Sequence, residues 1–348
     1  MVFEEHSGNL LGLNLEELED LAVSFGQPRY RGRQIYHGIY VRRVRDFSGL
    51  TDLNRDFRDA IASDQGIIYP KVEREFYSRD GAVRYLFRLP DSNSVETVYM
   101  PEEERTTLCL SSQVGCALDC RFCFTALLGA KRNLTAGEII GQVLAVTAGQ
   151  NVARGARLNL VFMGMGEPLL NLREVTKAVG ILADPKGVGV SLRRITVSTV
   201  GIIPRIEELA RDPMRPKLAI SLNASHDEQR SALMPINKKY PLADLLRTFR
   251  AYPLRPWEHL TFEYVLLEGF NDSDADARRV ADLLRDLRAK VNLIPYNSGP
   301  ELPFHAPKFE RVLAFQKILT DRRIPAFIRI SRGRDIRAAC GQLSLAIG

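Results

Sequence analysis

The sequence predicts an α/β protein built on a partial (β/α)6 barrel, preceded by a small N-terminal helical domain and a connecting β-hairpin. Three patterns predict it. From Thr106 onward, six apolar strand candidates are separated by helical stretches, the alternation a parallel sheet requires because each parallel crossover takes a dozen or more residues. Residues 13–62 carry apolar side chains at helical spacing, and residues 67–100 alternate with period two. Domains are accordingly expected at 1–66, 67–105 and 106–348.

In the helical unit, Leu15, Leu18, Leu21 and Ala22 form one apolar face, and Leu50, Leu53, Phe57 and Ile61 form another. Between them lie Arg29, Arg31, Arg33, Arg42, Arg43 and Arg45, with no acid among residues 29–45 and with Tyr30, Tyr36 and Tyr40 interleaved. Guanidinium groups for phosphates and rings for bases suit RNA. The competing reading is a solvated helix face whose tyrosines pack on the core. In the hairpin, Val83–Leu89 and Val95–Tyr99 flank the turn Pro90-Asp91-Ser92-Asn93.

The barrel strands are expected at Thr107–Leu110, Leu158–Met163, Ile195–Thr199, Leu218–Leu222, Leu260–Leu266 and Val291–Ile294. Thr135-Ala-Gly-Glu138 and Asn171-Leu-Arg-Glu174 read as helix starts, where a side-chain oxygen satisfies unpaired amides. In such barrels functional groups gather at the C-terminal ends of the strands, so the residues just after each apolar run matter most.

With 348 residues, 45% of them hydrophobic and 26% charged, the chain can bury a large core, which excludes a disordered protein. Its 48 Lys and Arg against 42 Asp and Glu give a formal charge of +6, favouring a polyanionic partner. Met1 to Leu11 include Glu4 and Glu5 and lack the basic-then-apolar order of a secretory signal, and no long apolar run occurs, so a cytoplasmic location without membrane contact is expected.

Four of the five cysteines crowd between Cys109 and Cys123, a poor disulfide framework but a good metal or redox one. Cys116-Ala-Leu-Asp-Cys120-Arg-Phe-Cys123 places three thiolates where they can wrap one cluster. Structural zinc would ask for a fourth ligand, and neither Cys109 nor a nearby His stands at a suitable spacing. Three thiolates suit a 4Fe-4S cluster whose fourth iron binds a small chelating molecule.

This spacing, followed by strand-helix repeats, resembles the radical S-adenosylmethionine (SAM) superfamily, in which the open iron chelates SAM and one electron from the cluster cleaves it to a deoxyadenosyl radical. The resemblance implies that Phe122 shields the cluster. Gly164-Met165-Gly166-Glu167-Pro168, after the second barrel strand, is similar to the superfamily's Glu-Pro motif that meets the SAM amino group. Gly166, Glu167, Ser198, Ser221, Leu222, Asn223 and Asn297, at or near strand ends, are the implied SAM ligands.

The words around Cys109 (Thr107-Leu-Cys-Leu-Ser-Ser-Gln-Val-Gly115) and Cys340 (Arg332-Gly-Arg-Asp-Ile-Arg-Ala-Ala-Cys-Gly-Gln342) narrow the match. With Glu96-Thr-Val-Tyr-Met-Pro-Glu102, Pro235-Ile-Asn-Lys-Lys239 and Leu293-Ile-Pro-Tyr-Asn297, they resemble the RlmN/Cfr family of radical SAM adenosine methyltransferases. That resemblance implies two SAM per methyl. One methylates Cys340; the other yields the radical that activates this methyl, which then bonds to the adenine. Glu96 takes the ring proton, and Cys109 attacks Cys340, forming a transient disulfide and releasing methylated RNA. The implied substrates are adenosine 2503 of 23S rRNA, in ribosomal numbering, and adenosine 37 of certain tRNAs, each extruded from its stack.

An external electron donor such as flavodoxin and a monomeric chain are expected. A second basic set, Arg322, Arg323, Arg329, Arg332, Arg334 and Arg337, leads up to Cys340 and could hold phosphate. Asn223 stands where many family members have His, which keeps hydrogen-bonding capacity and loses a titrating ring. Methylation at carbon 8 remains the alternative, since both branches share the cluster, the two cysteines and the SAM motif. Pro235-Ile-Asn-Lys-Lys239 and the Ile-Pro-Tyr-Asn297 word favour carbon 2. Less favoured are a non-methylating radical SAM enzyme and an iron-sulfur protein that only binds RNA.

Overall fold

The computed structural model describes residues 8–345; Glu4 and Glu5, used above against a secretory signal, lie outside the described residues. The alternating and apolar runs assemble into a single ten-stranded sheet: β1 (Lys71–Tyr77), β2 (Val83–Arg88), β3 (Ser94–Pro101), β4 (Thr106–Cys109), β5 (Leu158–Phe162), β6 (Ile195–Thr199), β7 (Lys217–Ser221), β8 (Leu260–Leu266), β9 (Ala289–Pro295) and β10 (Ala326–Ile328). Neighbours in space are neighbours in sequence throughout. β4 to β10 run parallel, while β1 to β4 form an antiparallel meander. The sheet is open, with β1 and β10 as its edges.

Two features differ from the expectation. A seventh parallel strand, β10, follows the six expected ones; its three residues, Ala-Phe-Ile, are too short and too quickly followed by Arg329 to stand out as an apolar run. The hairpin is also part of the barrel sheet, because β3 bonds to β4 with Val98 opposite Cys109 and Tyr99 opposite Leu108.

Seven helices follow the meander: α4 (Ala136–Gly149), α5 (Leu172–Ala183), α6 (Ile203–Ala210), α7 (Asp227–Leu233), α8 (Leu242–Arg250), α9 (Asp274–Leu284) and α10 (Phe309–Asp321). Thr135 and Glu138 form the expected capping box on α4. α5 starts after Asn171 as expected, but the Asn171 side chain makes no cap bond. Its amide instead donates to the Ser112 and Leu134 carbonyls, both at 2.8 Å, and Glu174 reaches across to accept from Ala136 N of α4 at 2.9 Å. The pair therefore ties α5 to the loops and helix beside it.

The N-terminal unit contains α1 (Leu15–Ser24), α2 (Tyr30–Tyr40) and α3 (Arg55–Ala62). It packs on α4, most of which is buried. Gly137 permits the contact: a Cβ there would sit 2.1 Å from the Leu11 carbonyl oxygen. Tyr40 is buried, its hydroxyl donating to Leu13 O at 2.8 Å and accepting from Gly12 N at 2.9 Å; Tyr36 is also buried and donates to Asp184 at 2.8 Å. These two rings are core residues, and only Tyr30 of the three is exposed. Among the described residues no helix is long and apolar enough to cross a membrane.

Candidate functional site

A cavity opens at the C-terminal ends of the parallel strands. It is open to solvent and spans about 950 Å³ with the solvent at its mouth included. Cys116, Cys120, Cys123 and Cys340 all contribute to its wall.

The cysteine loop is fixed by its backbone. Cys116 N donates to Gly129 O at 3.0 Å, Cys123 N to Cys120 O at 3.0 Å, and Arg121 N to Leu233 O at the end of α7 at 2.9 Å. Burial raises all three thiols, Cys116 to about 11 and Cys120 well above the usual value. Such thiols give up their protons to solvent readily only when a cation binds the sulfur. Among the described residues no three His, Cys, Asp or Glu side chains gather around a single-ion position. Three soft sulfur donors lining one cavity fit a multi-iron cluster.

Beside them runs the loop after β5, the Glu167 backbone N–H meeting the Cys116 thiol. Gly166 has φ of +96°, and a Cβ on it would lie 2.5 Å from the Gln113 side chain, so only glycine fits. Gln113 Oε1 accepts from Glu167 N at 2.8 Å. The Glu167 carboxylate accepts from Leu169 N and Val200 N, both at 3.0 Å, and burial still lifts it to about 7. A ligand ammonium would restore its charge.

Ser198, Ser221, Asn223 and Asn297 line the same cavity. Leu222 does not: its side chain is in the core, its N–H donates to Glu263 O at 3.0 Å, and its carbonyl accepts from Arg230 Nε at 3.2 Å. Of the expected ligand set, Leu222 alone keeps its side chain out of the cavity. Asn223 has φ of +55°, a conformation asparagine tolerates well, and its Oδ1 accepts from Val265 N at 2.9 Å. The amide thus joins β7 to β8, a structural task within the cavity wall. Asn297 donates to Ser331 Oγ at 3.0 Å and to Cys340 O at 3.4 Å, and accepts from Arg334 Nε at 3.1 Å, anchoring the Cys340 segment.

Cys340 is exposed to the cavity, yet the surrounding protein raises its thiol to about 11, with Glu263 adding to the effect and Arg329 opposing it. Its segment is held by Phe124 N donating to Gly341 O at 2.8 Å and Thr125 Oγ1 to Leu343 O at 2.6 Å. Cys109 lies buried behind the wall. Desolvation raises its thiol strongly, and Cys340 adds a further electrostatic push, so the two sulfurs feel one another. All five cysteines are free thiols, and the expected Cys109–Cys340 disulfide is not formed.

Glu96 is not on the cavity wall. It is 1% exposed, pairs with Arg84 at 2.5 Å, and accepts from Leu345 N at 3.2 Å. Burial raises its carboxyl against the pull of Arg84. The Cys340 tail therefore covers it.

Half of the basic segment is paired within the N-terminal unit: Arg29 with Glu19 and Asp20, Arg33 with Glu19, and Arg42 with Asp52. The acids lie outside residues 29–45, so the sequence window concealed them. Arg31, Arg43 and Arg45 form no salt bridge among the described residues, Arg31 stacking near Tyr30 and Arg45 near Tyr69. In the second set, Arg332, Arg337 and Arg322 pair with Asp80, Glu301 and Asp282.

Two site residues escaped the sequence reading. Glu263 lines the cavity and accepts from Asn292 Nδ2 at 2.8 Å; an acid inside the apolar run Leu260–Leu266 was its signal. Arg230 is fully buried near Cys120, but Asp227-Glu-Gln-Arg230 reads as a surface helix.

Residues 110–281 match the Radical SAM superfamily, and residues 8–67 match the ribosomal RNA large subunit methyltransferase N-terminal domain. A probable dual-specificity RNA methyltransferase RlmN of Koribacter versatilis is 53% identical, over 91% of this chain and 96% of the relative. The dual-specificity RNA methyltransferase RlmN of Desulfotalea psychrophila is 45% identical over 97% and 94%. A radical SAM methyltransferase crystal structure from Sphaerobacter thermophilus superposes with a TM-score of 0.91 at 46% identity, covering 96% of this chain and 98% of that one.

Proposed function

The chain belongs to the RlmN family of dual-specificity RNA methyltransferases within the radical SAM superfamily, and from that membership we propose that it methylates carbon 2 of an adenine in 23S rRNA and in tRNA through a methylated Cys340. Its cofactors are a 4Fe-4S cluster and SAM. When bound, they supply the one-electron chemistry and the methyl group, neither of which a side chain of this protein can provide.

The residues divide the remaining work. Cys116, Cys120 and Cys123 hold the cluster, and the loop at Gly166 and Glu167 receives SAM with Ser198, Ser221, Asn223 and Asn297. Cys340 Sγ takes the methyl group from one SAM and presents it to the base. Glu96 accepts the ring proton, which requires the Leu345 N–H to leave its Oε2. The Cys109 thiolate attacks Cys340 Sγ; the electron pair of the broken sulfur-carbon bond goes to the carbon on the RNA, which takes up a proton to become the methyl group, and the disulfide left behind is reduced before the next turnover. Arg31, Arg43 and Arg45 are the phosphate contacts of the basic segment, since Arg29, Arg33 and Arg42 are already ion-paired. An electron donor such as flavodoxin, a cytoplasmic setting and a monomeric chain complete the proposal.

The observation that supports this reading most directly is that the three motif thiols and Cys340 line one cavity, with Cys109 buried within electrostatic reach of Cys340. The test is anaerobic incubation of reconstituted protein with unmodified 23S rRNA fragments, reductant and methyl-labelled SAM, followed by nucleoside mass spectrometry. Labelled 2-methyladenosine is expected. Labelled 8-methyladenosine would reassign the reacting carbon, and methylated Cys340 with unmodified RNA would overturn the substrate.

A further inference from the structure

Arg230, on α7, is 0% exposed, and its guanidinium fills the space between the C-terminal ends of β6 and β7. Its four hydrogen bonds all go to neutral oxygens: Val200 O at 2.6 Å, Ser221 O at 3.1 Å, Leu222 O at 3.2 Å and Asn237 Oδ1 at 2.9 Å. It forms no salt bridge among the described residues. Asp227, one turn earlier, attracts it only at longer range, because that carboxylate accepts from Asn237 Nδ2 at 2.9 Å and Leu242 N at 2.8 Å. A buried cation without a paired anion is costly, and buried charges are as a rule paired.

The nearest candidate is the cysteine loop. Arg230 and Cys120 lie within electrostatic reach of one another, and the two segments are bonded directly, Arg121 N donating to Leu233 O at the end of the arginine's own helix. We propose that Arg230 is the buried counter-charge of the iron-sulfur cluster, a fixed guanidinium that offsets part of the charge of the three thiolates and so eases the cluster's one-electron reduction. The inference rests on the cluster assignment of Cys116, Cys120 and Cys123. Net charge around a cluster is one of the main levers on its potential. The hydrogen bonds to strand ends hold the charge in place, and no titration of Arg230 is involved. Arg230 is thus a positioning and electrostatic residue rather than a catalytic one.

The test is a dithionite titration of reconstituted holoenzyme, with the reduced cluster read by electron paramagnetic resonance, on wild type, Arg230→Gln and Arg230→Lys. Arg230→Gln should show about a tenfold lower ratio of reduced to oxidised cluster at a fixed potential, equivalent to about 59 mV for one electron. Arg230→Lys keeps the charge and loses most of the hydrogen bonds, and its potential should stay near that of wild type. Iron content is measured in parallel. A wild-type potential in fully loaded Arg230→Gln overturns the proposal, as does an equal shift in both variants. Should Arg230→Gln fail to load, thermal unfolding of wild type and Arg230→Lys, each with and without cluster, decides. Cluster loading should stabilise both alike; a loss confined to loaded Arg230→Lys would make hydrogen bonding, not charge, the link. Failure of the wild type itself to give a 4Fe-4S signal would instead overturn the cluster assignment.

Discussion

Arg84→Met should leave Glu96 as a buried carboxylate with no ion-pair partner. The two side chains are each 1% exposed and meet at 2.5 Å between β2 and β3. At an effective dielectric of about 20 that contact gives roughly 6–7 kcal/mol of gross attraction, most of it offset by desolvation. The net worth of the pair is therefore small, but breaking it from one side should cost about 3–5 kcal/mol. Replacing both partners, Arg84→Met with Glu96→Gln, should cost much less than the sum of the two single changes. Urea unfolding of the cluster-free protein at neutral pH, followed by circular dichroism, measures the cycle. Two single losses under about 1 kcal/mol, or strict additivity in the double variant, would refute the reasoning.

The same pair predicts a pH effect. Burial places the folded-state pKa of Glu96 above its unfolded value, so the folded protein holds that proton to higher pH. Its contribution to stability is fully present below the ordinary carboxylate range and is lost as pH rises through the raised value. Glu96→Gln should remove that slope. Arg84→Met should raise the carboxyl further and move the acidic limb of the pH-rate profile to higher pH, because the proton acceptor must be ionised.

Cys340→Ala should assemble its cluster, as judged by absorbance and iron content, and transfer no methyl group. Cys109→Ala should accumulate a covalent adduct between RNA and Cys340 that runs as a slow, protease-sensitive band on denaturing gels. Gly137→Ala places a methyl 2.1 Å from Leu11 O, and should lower stability by about 1–3 kcal/mol and speed proteolysis of the N-terminal unit. Tyr40→Phe removes the hydroxyl that bridges Gly12 N and Leu13 O and should cost about 1–3 kcal/mol in the same unfolding assay.

The six long parallel strands were legible because each is an apolar run set off by a helix, and the cysteine spacing and glycine-rich turn were legible because their residues are contiguous. What escaped depends on distance along the chain. Tyr36 and Tyr40 look like base-stacking rings until Asp184 and Leu13 meet them, and Arg29 and Arg33 look free until Glu19 folds back. Leu222 sits among cavity residues in sequence, but strand alternation turns its side chain into the core. Arg230 gave no signal, since its burial arises from strands and a cysteine loop that approach from elsewhere. Glu96 was found by family resemblance alone; nothing in its strand foretells Arg84 as partner or Leu345 as cover.

The continuity of the sheet explains how one parallel barrel comes to hold residues from outside its repeats. In the meander Val98 lies opposite both Arg84 of β2 and Cys109 of β4, so those three side chains point to one face. Glu96 stands two residues before Val98, and period-two alternation puts it on that face as well. Glu96, its partner Arg84 and Cys109 are thus fixed relative to one another by strand register, as the roles proposed for Glu96 and Cys109 require. β4 in turn pairs with β5, Cys109 opposite Val161, just before the glycine-rich turn at the cavity. The tail after Cys340 closes this arrangement through Leu345 on Glu96 and Leu343 on Thr125. A one-residue slip of β3 against β4 would turn Glu96 and Arg84 to the opposite face from Cys109, so this pairing carries function as well as stability.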